Sequence, residues 1–179
     1  MRQRIQRGIG VFAGMVLFSQ SAALRAVDIP VTITVTILEP VCTVTDAAGN
    51  SQTEVDFERV MVNDVNGATA VRDLSMKVSC DSSSPGKTLK MQLTAGSGTL
   101  SWAGEQVLGT SVTGLGIRVT DSADQAVEPG SWVAVTGVTT PADAPAGDVL
   151  LKAALVSPDK STLNAGAFTA SASVKMAYQ

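Results

Sequence analysis

The sequence predicts an all-β protein, an antiparallel sandwich of short strands. Apolar and polar residues alternate with period two in several stretches, most cleanly at 27–38 and 168–178. Glycine- and proline-containing turns separate the stretches at fairly even spacing. No segment of useful length keeps a helical period. Short alternating strands with this punctuation favour a sandwich over an α/β fold.

Residues 1–26 have the order of a secretory signal peptide. Arg2, Arg4 and Arg7 form a positive start, 8–18 is an uncharged apolar run, and Ser21, Ala22, Ala23 and Ala26 supply small residues. The apolar run is short for a membrane span, so export is expected, with cleavage after Ala23 or Ala26. The rest divides into an N-terminal extension, 27–38, and one domain, 39–179. Without the leader, nine basic residues face sixteen acidic ones, a net charge of −7. An acidic surface with no basic run repels nucleic acid and anionic lipid.

In the extension, Val27, Ile29, Val31, Ile33, Val35 and Ile37 alternate with Asp28, Pro30, Thr32, Thr34 and Thr36. Period two puts the branched aliphatics on one face and the threonines on the other. Pro30 cannot donate to a ladder, which places it at a strand end or edge. Further strands are expected at 41–45, 54–60, 71–80, 88–94, 116–120, 132–138, 149–156 and 168–178. Turns fall at 48–50, 63–67, 84–86, 96–98, 129–130 and 164–166, and 141–147 reads as a loop. In the last strand Phe168, Ala170, Ala172, Val174, Met176 and Tyr178 share one face, and Gln179 follows.

Cys42 and Cys80 are the only cysteines. In an exported chain an even pair reads as one disulfide. It would close a loop of about 39 residues, worth roughly 4 kcal/mol by chain entropy. No metal site is expected, since the chain has no histidine and no C-x-x-C pair. The missing histidine also removes Ser-His-Asp and Cys-His catalysis. Asp121 with Asp124, or Glu54, Asp56 and Glu58, are conceivable carboxylate sets for glycoside chemistry. The trio alternates along one strand, however, and reads most simply as a solvated face. The glycines of 96–98 and 114–116 precede no helix and read as turns, not phosphate cradles. Trp102 and Trp132 suit packing better than a sugar-stacking pair. No catalytic residue, cofactor or small-molecule substrate is expected.

Five features in order resemble the subunits of chaperone–usher pili, particularly the minor and adaptor pilins of P-type and type 1 fimbriae. A leader precedes the alternating extension; Glu39, Pro40 and Val41 lead into Cys42; Val55, Asp56 and Phe57 follow; Cys80 closes the strand from Leu74; and Gly166 stands fourteenth from the end with Tyr178 penultimate. The last spacing is the most specific.

The resemblance implies an incomplete immunoglobulin-like sandwich that lacks its final strand and is completed by a donated one. The donor face would be Val27, Ile29, Val31, Ile33, Val35 and Ile37 of a neighbouring subunit. Gly166, Phe168, Val174, Met176, Tyr178 and Gln179 would lie on the groove-edge strand that contacts a periplasmic chaperone, although Phe168 and Met176 also suit a plain core role. The implied partners are that chaperone, an outer-membrane usher and neighbouring subunits, and the implied destination is the cell-surface fimbrium. Donor strands of this family usually carry a small residue, commonly glycine, near the place of Val35, so the groove that receives this strand needs extra room there or the register differs. The alternative reading is a lectin-like adhesin module. Tip adhesins of the family add a receptor-binding domain, for which about 153 mature residues leave no room, and a terminating base subunit would lack the donor extension.

Overall fold

The computed structural model describes residues 40–139 and 144–179. The leader at 1–26 and the extension at 27–38, with its face from Val27 to Ile37, lie outside the described residues. Ten strands are described: β1 (Cys42–Asp46), β2 (Val71–Cys80), β3 (Leu89–Ala95), β4 (Thr99–Trp102), β5 (Glu105–Gly109), β6 (Gly116–Asp121), β7 (Trp132–Ala134), β8 (Val138–Thr139), β9 (Ala146–Val156) and β10 (Ala172–Tyr178). Two single 3-10 turns, Val62–Asp64 and Lys160–Thr162, are the only helical elements among them.

All pairings are antiparallel. The larger sheet runs β1-β2-β9-β6-β5-β4, with β8 also on β9; the smaller runs β10-β3-β7. The sheets close over a core assembled by period two. Met76, Val78 and Cys80 of β2, Val149, Leu151, Ala153 and Leu155 of β9, and Ile117 and Val119 of β6 are buried from one side. Leu89, Met91 and Leu93 of β3 are buried from the other. Each such aliphatic side chain contributes roughly 1.5–3 kcal/mol on burial. Cys42 stands opposite Cys80 in the β1–β2 ladder and is disulfide-bonded to it.

Four expectations need correction. Residues 54–60 form no ladder strand, and the last strand begins at Ala172, not at Phe168. Both unladdered stretches border one cleft, described below. The expected strand at 132–138 is split because the chain changes sheets: β7 pairs with β3, Gly137 turns with φ of 90°, and β8 pairs with β9. The loop at 141–147 is shorter than expected, since β9 begins at Ala146.

The hairpin β4–β5 was not expected. Ala103 and Gly104 both have positive φ, 50° and 88°, which matches a two-residue turn suited to strand twist. Val107 and Leu108 are both buried, so β5 shows no alternation to read. The hairpin is tied to β6 by a fork: the Arg118 guanidinium donates to both Glu105 oxygens, at 2.6 and 3.0 Å, and lies 5.9 Å from the Trp102 ring. At Gly116 a Cβ would stand 2.7 Å from Val107 Cγ2 and 3.1 Å from the Leu108 carbonyl oxygen.

Gly116→Ala should therefore destabilise the chain by about 1–3 kcal/mol, read as a lowered urea midpoint. Hydrogen bonding and charge from Arg118 hold the Glu105 carboxyl below its ordinary value of 4.5. A depressed carboxyl stabilises above the unfolded pKa, and that contribution is lost as pH falls through the folded one. With both side chains partly exposed, the pair is worth less than about 1 kcal/mol. The urea midpoint should fall below pH about 4.5, and less steeply in Glu105→Gln.

Candidate functional site: an apolar cleft between the sheet edges

A cleft of about 760 Å³ opens onto the core. Its floor comes from both layers: Met76, Ile117, Val119 and Leu155 from the larger sheet, and Leu93 from the smaller. Residues 53–60 form one lip and 164–172 the other.

The first lip keeps its period without a ladder. Phe57 is buried and Val55 half-buried, while Glu54, Asp56 and Glu58 are exposed. The carboxylate trio is therefore a solvated face. In place of a strand partner this lip has Arg72. Its guanidinium donates to the carbonyl oxygens of Asp56, Phe57 and Val71, at 3.1, 3.1 and 3.0 Å. The lip turns at Glu58, where φ is 56° and the backbone N–H donates to Asp56 Oδ1 at 2.7 Å. At the second lip Ser111 N donates to the Thr169 carbonyl at 2.8 Å, and Gly96 N to that of Ser171 at 2.8 Å. These bonds fix 169–171 to neighbouring loops. Beyond them β10 pairs with β3 only, leaving its other edge without a ladder among the described residues.

The six residues assigned to the groove-edge strand divide. Gly166, Phe168 and Val174 line the cleft. Met176 and Tyr178 pack on the core farther along β10. Gln179 exchanges two backbone hydrogen bonds with Thr88, each 3.0 Å, which pins the strand to its last residue. The Tyr178 ring borders a second, smaller cleft of about 330 Å³ with Ser83, Lys87 and Pro145. Burial and the nearby Asp81 charge push the Tyr178 hydroxyl above its ordinary pKa of 10.0.

Sequence reasoning did not assign Arg72 or the floor residues to the site. A signal for Arg72 was present: with Leu74, Met76, Val78 and Cys80 it occupies the inward parity of β2, where a cation needs a reason. Trp102 and Trp132 lie on different sheets, under Arg118 and Lys175 respectively, each at 5.9 Å. They form no joint sugar platform. Asp121 accepts the N–H groups of Ala123 and Gln125, and Asp124 pairs with Lys152 at 2.9 Å, so both carboxylates serve a turn and an ion pair.

Residues 31–179 match the family model for fimbrial proteins. The chain belongs to the fimbrial protein family. It is 33% identical over 129 residues to an uncharacterized fimbrial-like protein, YfcR, of Escherichia coli strain K12, covering 70% of this chain and 69% of that one. Among solved structures it resembles the P pilus rod subunit PapA, with a TM-score of 0.50, 21% identity, and coverage of 84% of this chain and 100% of PapA. It also resembles a chain of a chaperone–usher pilus studied for rod uncoiling, with a TM-score of 0.57, 21% identity, and coverage of 86% and 100%. The fold is therefore the incomplete immunoglobulin-like sandwich of chaperone–usher pilins.

An open apolar cleft should bind a dye that reports exposed apolar surface. The chain should enhance ANS fluorescence, and Val174→Asp, which places a charge on the cleft wall, should reduce the enhancement.

Proposed function

We propose that this fimbrial chain is a structural subunit of a chaperone–usher pilus, polymerised when the extension of one subunit fills the cleft of the next. The observation that carries this reading is the cleft itself. It opens onto the buried core of both sheets, its walls carry half-buried Val55, Leu74, Phe168 and Val174, and its lips are segments with strand alternation but, among the described residues, no strand between them. Apolar surface left in water costs roughly 25 cal/mol per Å², and an unladdered edge is a template for another strand. A donated β-strand relieves both at once, with backbone pairing for affinity and alternate side chains for fit.

The extension has the matching chemistry. Val27, Ile29, Val31, Ile33, Val35 and Ile37 present one branched aliphatic face, and the opposite threonines keep the free segment soluble. The need for room near Val35 finds support in small lining residues: Ala153, Ala165, Gly166, Ala167 and Ala170 all border the cleft. Before assembly the same cleft would be covered by a strand of a periplasmic chaperone, with Gly166, Phe168, Val174, Met176, Tyr178 and Gln179 on the contacting strand. An outer-membrane usher would hand the subunit to its neighbour, and the product would stand on the cell surface. Within the pilus we assign it a minor or adaptor position, following the resemblance of its motifs. A structural role of this kind asks for no catalytic group or cofactor.

Fusing a copy of residues 28–37 after Gln179 through a flexible linker should give a stable monomer with a raised unfolding temperature. The unfused mature chain should oligomerise, or require a co-expressed chaperone to accumulate. A mature chain that is already a stable, cooperative monomer, unchanged by the fusion, would contradict strand donation.

A further inference from the structure

The lips of the cleft touch. Phe57 on one lip and Phe168 on the other stand with ring centroids 6.1 Å apart and planes tilted by 48°, within the range where tilted aromatic pairs attract. Phe57 is 5% exposed although its segment belongs to no sheet. Arg72 holds it there: its guanidinium donates to the carbonyl oxygens of Asp56 and Phe57, and its carbon lies 5.9 Å from the centroid of the Phe57 ring. Glu58, 3.7 Å from the same guanidinium, adds a weak ion pair on the outer side. The contact between the lips is thus made by side chains and not by a ladder.

We propose that Phe57, Phe168 and Arg72 form a latch across the cleft, which holds its lips together while it is unfilled and must part for an incoming strand. The proposal rests on strand donation and adds a control on its rate. Two consequences follow from the geometry. An aromatic contact opens by side-chain rotation and a small lip movement, without breaking backbone hydrogen bonds. The carbonyls of Asp56 and Phe57 are already satisfied by Arg72, so an incoming strand gains its first ladder bonds more readily from the other lip, 164–172, and from β10. Arg72 acts here as a positioning residue: it fixes the lip that presents Phe57.

The test uses the mature chain, residues 27–179, with its disulfide intact, diluted from denaturant into excess fluorescein-labelled peptide of residues 28–37. Fluorescence anisotropy gives the association rate, and thermal unfolding of the filled complex gives its stability. Phe168→Leu keeps an apolar, half-buried side chain but removes the ring. It should speed association roughly two- to tenfold, the rate equivalent of one aromatic pair, while any fall in unfolding temperature from lost packing should be no larger in the filled complex than in the unfilled chain. Arg72→Lys, which keeps the charge and loses the fork, should move the rate in the same direction. If both variants take up peptide at the parent's rate or more slowly, the latch is refuted while strand donation stands. If neither parent nor variants take up the peptide, strand donation itself fails, and the latch with it.

Discussion

The rest of the structure depends on a seam that the described strands do not close. Two antiparallel sheets share one core, and a cleft of about 760 Å³ opens onto it between residues 53–60 and 164–172. β1 is clamped to β2 by its ladder and by the Cys42–Cys80 disulfide, so it cannot move across to fill the gap. β10 is clamped to β3 and, through Gln179, to Thr88. Between the lips at 53–60 and 164–172, Met76, Leu93, Ile117, Val119 and Leu155 form the buried floor of the cleft.

Under the proposed strand donation, that seam is a connection: the apolar surface lining the cleft is the surface that a supplied strand would bury, so assembly and folding would draw on one free-energy term. The irregular lips fit this economy. A lip already built into a ladder would offer no edge to an incoming strand, whereas one held by Arg72 and a pair of rings stays in place and remains able to give way. The polar machinery elsewhere is of the ordinary structural kind: Glu105 with Arg118 steadies a hairpin, Lys152 with Asp124 an outer face, and Asp121 a turn.

The β2 strand from Leu74 and the buried face of β3 were legible in the sequence because each alternates and is walled off by turn residues, and β9 was legible as an apolar run between turn signals, its residues 153–156 all being buried. The hairpin β4–β5 was not, since Val107 and Leu108 are buried on both sides of the strand and its turn is Ala103-Gly104, a weaker signal than Asn-Gly. The segment 54–60 was read as a strand from a correct alternation. Val55 and Phe57 do face inward, but alternation reports which side a residue faces and carries no information about whether a ladder partner exists. The same holds for Phe168 and Ala170. The candidate site was half legible: Gly166, Phe168 and Val174 came from the terminal pattern, while the floor required knowing which strands stand across the core. Arg72 was visible as a cation on an apolar face, and only the fold gave it a purpose.

Amide hydrogen exchange across the lips is the most direct test of the seam. In the unfilled mature chain, the amides of 53–60 and the outward edge of β10 should exchange fast, while β2 and β9 are protected. With the strand of residues 28–37 supplied in cis, protection should rise at 164–178, rise less at 53–60, and change little in β9. Equal protection of both lips before and after the strand is supplied would contradict the account, because it would mean that the edges were never open.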